Sequence, residues 1–272
     1  MSILANLWNG ENYRQNSLAQ EIWAKPIIEQ LHLKGSERIL DIGCGDGKIT
    51  KKLAALVPQG EVVGLDQSES MLDAAKKLID ETVSGRLSFV LGDATSFTLG
   101  RTFDVITSFT ALHWVHDHAS VIRNAAQHLD VGGRIYFMLP LHSENCAQFV
   151  ETKRAIKSSP KYAELIGDFD TNMFKPSLDA YMPMLLGNGF QVDLISLRYK
   201  PATFDSREQM LGWLKAWIFV EYRMIPVEMR EEFVKDFLDT YLSQPGSIDA
   251  EGRGLWNVHF VELMGTKMGH LL

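Results

Sequence analysis

The sequence predicts an α/β fold built on a doubly wound, mostly parallel seven-stranded sheet with a helical C-terminal cover. Two observations lead to this prediction. Between residues 38 and 141, five short β-rich segments alternate with helical segments, the pattern of parallel strands joined by right-handed crossovers. After residue 141 the pattern becomes mostly helical, but two further extended segments follow and are expected to complete the sheet.

The five early strands are predicted to be RILDI, EVVGLD, RLSFVLGD, FDVITSF and GRIYFMLP. The segments GKITKKLAALVPQ and SESMLDAAKKLIDET separate the first three and place their apolar residues on one helical stripe. The two late strands lie in GFQVDLISLRYKPATF and WNVHFVELMGTKM, and residues 144–188 and 206–243 are predicted to be mostly helical. We therefore expect an N-terminal arm and helix at 1–37, a binding core at 38–141, and sheet completion with a substrate cover at 142–272.

Composition narrows the class of protein. The chain has 272 residues and a net charge of −7 without long basic runs, which argues against nucleic acid as a partner. No segment approaches the roughly 20 apolar residues of a membrane span, so we expect a cytoplasmic protein with no membrane partner. The presence of only two cysteines argues against a disulfide framework and against a cysteine zinc site, and no metal is expected. A monomer or homodimer is predicted.

The glycine loop after the first strand indicates the ligand. In the dinucleotide pattern G-x-G-x-x-G, counted from Gly43, the third glycine would be residue 48, which is Lys48. Instead Gly43, Gly45 and Gly47 alternate with other residues, and acidic side chains stand before and inside the turn. Carboxylates near a helix start would repel a pyrophosphate. An acidic loop suits a cationic ligand such as S-adenosylmethionine, which carries a sulfonium and an ammonium group.

Two further acids close the next strands. Asp66 ends EVVGLD, where a carboxylate can accept from both ribose hydroxyls, although enzymes that use NAD share this feature. Asp93 ends FVLGD and precedes Ala94. At that position the carboxylate can accept from an adenine amino group while the next backbone N–H donates to the ring. Together the two acids fit a nucleoside.

The segments ILDIGCGDG, VVGLDQSESML, GDA and FDVITSFTALHWV resemble the successive motifs of class I S-adenosylmethionine-dependent methyltransferases, over residues 38–140. The resemblance implies a Rossmann-like fold and places the amino acid end of the cofactor over the first loop, the ribose at Asp66 and the adenine between Asp93 and Ala94. It also places the segment 108–111 beneath the methionine portion. The expected cofactor-binding residues are Trp8, Tyr13, Asp41, Gly43, Cys44, Gly45, Asp66, Gln67, Asp93, Ala94, Ser108 and Phe109.

Two segments bear on the methyl acceptor. The arm WNGENYRQNSLAQ and the segment LHWV resemble the branch containing juvenile hormone acid methyltransferase and trans-aconitate methyltransferase, which esterify carboxylic acids. The resemblance implies that Gln20 and Trp114 are the catalytic residues that hold the acceptor carboxylate. A carboxylate is ionised near neutral pH and needs no general base, and neutral N–H donors orient it without an ion pair. The predicted acceptor is a small or carrier-linked organic acid.

The sequence also allows other hypotheses about the function. His116 or His118 can serve as a general base for a phenol, an amine or a ring carbon. A different interpretation is that HDH begins the next helix, with Asp117 near its N-terminus. The chain can also bind S-adenosylmethionine without catalysis, since the motifs concern binding alone. An NAD-linked oxidoreductase is supported by Asp66 and opposed by Lys48.

Overall fold

The computed structural model describes residues 7–141, 146–166 and 177–269, except for the side chains of 219–221. Nine strands lie in these ranges. In chain order they are β1 (Arg38–Ile42), β2 (Glu61–Asp66), β3 (Leu87–Leu91), β4 (Phe103–Phe109), β5 (Leu129–Leu141), β6 (Phe190–Tyr199), β7 (Ala202–Phe204), β8 (Gly254–Trp256) and β9 (His259–Lys267).

Seven of the strands form one sheet in the order β3-β2-β1-β4-β5-β9-β6. Strands β1 to β5 pair in parallel, while β9 is antiparallel to both of its neighbours, β5 and β6. The predicted doubly wound sheet is confirmed. Because the strand order reverses between β1 and β4, the carboxyl ends of these two strands open a crevice, the usual place for a ligand.

Ten helices surround the sheet within the described residues. They are α1 (Gly10–Asn16), α2 (Leu18–Gln30), α3 (Lys48–Leu56), α4 (Glu69–Lys76), α5 (His118–Gln127), α6 (Ala147–Ser158), α7 (Ala163–Ile166), α8 (Leu178–Gly187), α9 (Arg207–Glu221) and α10 (Arg230–Leu242). Among them, none combines the length and the apolar composition needed to cross a bilayer.

The apolar side chains form two separate clusters. One contains residues of α2, α9 and α10, including Trp23, Trp213 and Phe237. The other contains residues of α5 and α8, including Val121 and Tyr181. Each cluster therefore combines apolar side chains of helices with those of the sheet, as expected of a sheet that is buried by crossover helices. Strands β7 and β8 form a small antiparallel pair of their own.

The N-terminal arm contains a helix that its polar composition did not predict. The Asn9 side chain caps α1 by accepting from the backbone N–H of Asn12 at 2.9 Å. At the same end, the Gly10 N–H donates to the Ser70 hydroxyl of α4 at 3.1 Å. A Cβ atom on Gly10 would lie 2.2 Å from the Ser70 carbonyl oxygen, so glycine is required for α1 to dock this closely on α4.

Candidate functional site

A main cavity of about 250 Å³ opens at the carboxyl ends of the parallel strands. Helix α1 and the residues before it form its roof, with Trp8 and Tyr13 facing the cavity and their rings 5.6 Å apart, edge to face. Eight of the twelve predicted cofactor-binding residues line this cavity: Trp8, Tyr13, Gly43, Gly45, Asp66, Gln67, Asp93 and Ala94.

The glycine loop between β1 and α3 forms the wall of the cavity. Gly43, Gly45 and Gly47 have φ angles of 71°, 54° and 80°, in the left-handed region that favours glycine. A Cβ on Gly43 would lie 2.2 Å from the Ala111 Cβ, whereas a Cβ on Gly45 would meet only a Tyr13 ring carbon at 3.9 Å. The backbone at Gly45 is therefore bare on the side that faces the cavity, so a ligand can lie against it.

Asp66 is fixed at the end of β2 by backbone N–H groups. Its Oδ2 accepts from Gly45 and its Oδ1 from Ser68, both at 2.9 Å. Burial raises the pKa of Asp66, while these N–H bonds act in the opposite direction. Each carboxylate oxygen can accept more than one hydrogen bond. The oriented carboxylate can therefore also accept hydrogen bonds from hydroxyl groups of a ligand in the cavity.

Asp93 lies at the rim of the cavity, after β3. Its Oδ1 accepts from the backbone N–H of Thr95 at 2.8 Å and from the Thr95 hydroxyl at 2.7 Å. This turn fixes the carboxylate beside Ala94, which also lines the cavity. The main cavity thus has carboxylates at both Asp66 and Asp93, with the glycine loop along one wall.

The predicted cofactor-binding residues Asp41, Cys44 and Phe109 line a second, smaller cavity beside the glycine loop. Asp41 accepts from the hydroxyls of Thr50 at 2.7 Å and Thr107 at 3.0 Å, and burial raises its pKa to about 7. Burial also raises the pKa of the Cys44 thiol, which keeps it protonated at neutral pH. Asp41 thus joins β1 to α3, the helix that follows the glycine loop, and to β4.

Ser108 lies apart from these cavities. Its side chain is fully buried, and its hydroxyl donates to the Ile42 carbonyl at 2.8 Å, which joins β4 to β1. Two positions later Thr110 lines all three cavities and has a φ of 53°. A β-branched residue rarely adopts this conformation. Thr110 belongs to the segment 108–111 that the resemblance places beneath the methionine portion of the cofactor, but it is not among the individually expected cofactor-binding residues.

The predicted acceptor residues Gln20 and Trp114 converge on a third cavity. Trp8, Tyr13, Thr110 and Trp114 line both this cavity and the main one, so the two are adjacent. The remaining lining residues come chiefly from β5, α2 and α9, and they are mostly aromatic: Trp23, His113, Pro140, Trp213 and Trp217.

The histidines after β4 have different environments. Asp117 caps α5 by accepting from the Ser120 N–H at 2.9 Å, which confirms that HDH begins a helix. His118 is buried, with Nε2 bonded to the Leu112 carbonyl at 2.9 Å and Nδ1 to the Tyr181 hydroxyl at 2.8 Å. Both ring nitrogens are engaged and burial lowers its pKa, so His118 is a structural residue.

His116, by contrast, lines the main cavity.

Across the described part of the chain, no three His, Cys, Asp or Glu side chains are grouped so that they could hold a metal ion.

Comparisons with known proteins show which family and which relatives the chain is similar to. Residues 39–133 match a family described as "Methyltransferase domain". Trans-aconitate 2-methyltransferase of Methylobacterium radiotolerans is 29% identical over 215 residues, 77% of this chain and 78% of that one. The enzyme of the same name from Deinococcus radiodurans is 28% identical over 218 residues, 79% and 82% of the two chains.

The protein is a class I S-adenosylmethionine-dependent methyltransferase. Its fold is shared with the YcgJ protein of Bacillus subtilis, with a TM-score of 0.60 and 20% identity over 90% of this chain and 97% of that one. Haemonchus contortus phosphoethanolamine N-methyltransferase 2, solved with S-adenosyl-L-methionine, gives a TM-score of 0.57 and 16% identity over 91% and 52%.

The cofactor of the methyltransferase is S-adenosylmethionine, and the residues of the main cavity fit its chemistry. The bare backbone at Gly45 leaves room for a ligand beside the loop. The carboxylates of Asp66, Asp93 and Asp117 line the same space, and acidic side chains favour a ligand that carries cationic groups. The NAD-linked alternative is thereby set aside.

Proposed function

We propose that the methyltransferase transfers the methyl group of S-adenosylmethionine to a carboxylate oxygen of a small or carrier-linked organic acid. The observation that carries this proposal is the position of Gln20 and Trp114 in one cavity adjacent to the main cavity. A glutamine amide and an indole offer neutral N–H donors, which suit the two oxygens of a carboxylate. The two relatives named for trans-aconitate support an acidic acceptor.

In this proposal the main cavity holds the cofactor, which supplies a methyl group bound to an electrophilic sulfonium. Asp66 accepts from the ribose hydroxyls, and Asp93 and Ala94 contact the adenine. The loop at Gly43 and Gly45 faces the amino acid end of the cofactor. Trp8 and Tyr13 cover it from the N-terminal side. Asp41 and Ser108 hold β1 beside β4 through side-chain hydrogen bonds, and Cys44 and Phe109 line the second cavity.

Catalysis then consists of alignment and exclusion of water. The acceptor carboxylate is ionised at neutral pH, so no residue has to remove a proton from it. Gln20 and Trp114 orient its oxygens toward the main cavity and leave them nucleophilic, since neither donor carries a positive charge. The surrounding indole rings exclude solvent from the third cavity.

The test is production of S-adenosylhomocysteine by the purified protein with aliphatic, tricarboxylic and carrier-bound acids, alongside phenols and amines. Turnover with an acid that yields a base-labile methyl ester is the expected result. Turnover confined to phenols or amines would contradict the proposal and favour His116 as a general base. Cofactor binding without turnover across the panel would favour a non-catalytic role. An Asp66→Asn variant serves as the control for cofactor-independent background.

A further inference from the structure

The amide of Gln20 has a partner far away in the sequence. Trp213, on helix α9, donates its indole N–H to the Gln20 Oε1 atom at 3.2 Å, and both side chains are buried. This hydrogen bond joins α2, in the N-terminal part of the chain, to the C-terminal cover. Both residues line the third cavity.

The chemistry of the indole determines which way the amide points. An indole N–H can donate a hydrogen bond but has no lone pair with which to accept one. The atom of Gln20 that faces Trp213 must therefore be its oxygen, and its NH2 group must lie on the opposite side.

The Trp213 ring is held in place by its neighbours. The ring centroids of Trp256 and Phe204 lie 4.9 Å and 5.2 Å from that of Trp213, and Trp23 packs edge to face at 6.1 Å. Trp213 is 2% exposed. An indole fixed on several sides offers its N–H in one direction, which makes it a rigid reference for the amide.

We propose that Trp213 is a positioning residue that holds the Gln20 amide with its NH2 group toward the methyl acceptor. The inference rests on the proposed function. The NH2 group has two hydrogens, which can be donated to an acceptor oxygen. This orientation favours a carboxylate over an ammonium group, which could only donate. Trp213 itself does not have to touch the substrate.

A double-mutant cycle tests the inference. Trp213→Phe keeps an aromatic ring and removes the N–H, so we expect kcat/KM to fall about tenfold, the effect of one lost hydrogen bond that orients a reacting group. In a Gln20→Leu background the same substitution should cost less than about twofold, because the residue it positions is gone. Equal losses in both backgrounds would overturn the inference. Trp256→Phe, in the same indole cluster, controls for loss of packing.

A second measurement does not depend on turnover. In ¹⁵N-labelled protein, Gln20→Leu should move the indole N–H proton resonance of Trp213 upfield and speed its exchange with solvent. An unchanged Trp213 resonance would overturn the inference. The cycle uses whichever acceptor of the panel turns over fastest. Methylation of only phenols or amines would therefore refute the carboxylate acceptor, while the Trp213 resonance still reports on the contact with Gln20.

Discussion

The hydroxyl of Ser17 donates to the Oδ2 atom of Asp46 at 2.7 Å, and both side chains are buried. Ser17 connects α1 to α2, and Asp46 lies inside the glycine loop. Lys48 extends the contact, because its ammonium group donates to the Ser17 hydroxyl at 3.1 Å and pairs with Glu21 at 3.2 Å. The roof of the main cavity is thus fastened to its wall by a partly buried polar network.

Ser17→Ala should loosen this attachment. The carboxylate of Asp46 would lose a buried donor, so we expect the free energy of unfolding to fall by about 1 kcal/mol and S-adenosylhomocysteine to bind about tenfold more weakly. Urea unfolding and titration calorimetry measure the two effects. Ser243→Ala, at the exposed end of α10, is the matched control. Wild-type affinity in Ser17→Ala would mean that the network does not support binding.

Gly10→Ala should prevent the close docking of α1 on α4. The new Cβ would lie 2.2 Å from the Ser70 carbonyl oxygen, a backbone atom that cannot move aside cheaply. We expect affinity for S-adenosylhomocysteine, measured by titration calorimetry, to fall more than about tenfold, because α1 can no longer dock on α4 without strain. Gly187→Ala is the control, because a Cβ there would meet nothing within 4 Å. Equal affinities in the two variants would exclude a role for α1 docking.

Asp66→Asn should remove most cofactor affinity. An amide replaces one of the two oxygens that accept from Gly45 and Ser68, and its NH2 group would oppose an N–H donor or a ribose hydroxyl. We expect a loss of about a hundredfold, close to 3 kcal/mol, by calorimetry with S-adenosylhomocysteine. Asp80→Asn, an exposed acid paired with Lys51, should bind as wild type does. Retained affinity in Asp66→Asn would refute the ribose assignment.

Trp114→Phe should separate turnover from cofactor binding. A phenyl ring fills most of the same space but has no N–H for the acceptor carboxylate. Removing one donor from a reacting group lowers kcat by at least about tenfold, and affinity for S-adenosylhomocysteine should stay within about twofold of wild type. Steady-state kinetics and calorimetry on one preparation measure both. If turnover is unchanged, Trp114 does not orient the acceptor.

The stability of the protein should depend on pH through Asp41. Burial raises its pKa from the ordinary 3.8 to about 7. Between these values the folded protein keeps a proton that the unfolded chain releases. The contribution of Asp41 to stability is therefore greatest at acid pH and is lost as the pH rises toward 7, by up to about 1.4 kcal/mol per pH unit.

Urea unfolding of the wild type and Asp41→Asn at pH 5 and pH 8 tests this dependence. Asparagine does not titrate, so the stability of the wild type relative to the variant should be greater at pH 5 than at pH 8. Both proteins contain the same other titratable groups, including His118, so the contributions of those groups to the pH dependence cancel in the difference. A difference that is the same at both pH values would contradict the raised pKa of Asp41.

The sequence predicts the sheet well because each strand carries its own signal. Alternation of β-rich and helical segments identifies β1 to β5, and Lys48 excludes the dinucleotide loop without any knowledge of the fold. Asp66 and Asp93 are found for the same reason, since Asp66 is the last residue of β2 and Asp93 lies two residues after the end of β3. Local pattern is sufficient wherever position in a strand determines position in the site.

Features that depend on tertiary contact were not predictable. Helix α1 is short and polar, and Gly10 is explained only by the Ser70 carbonyl beside it. The left-handed conformation of Thr110 runs against its intrinsic preference. The bond between Gln20 and Trp213 joins residues 193 positions apart, so no window of sequence contains both.

The tryptophans of the third cavity make the intrinsic fluorescence of the protein a probe of this site. Five of its six tryptophans line the third cavity, and the remaining one, Trp256, packs on Trp213 at 4.9 Å. When tryptophan is excited selectively at long ultraviolet wavelengths, the fluorescence therefore originates in or next to the third cavity. Quenching or a spectral shift on adding a candidate acid would report its arrival beside Trp114 without a label, and acceptors could be screened before any product is assayed.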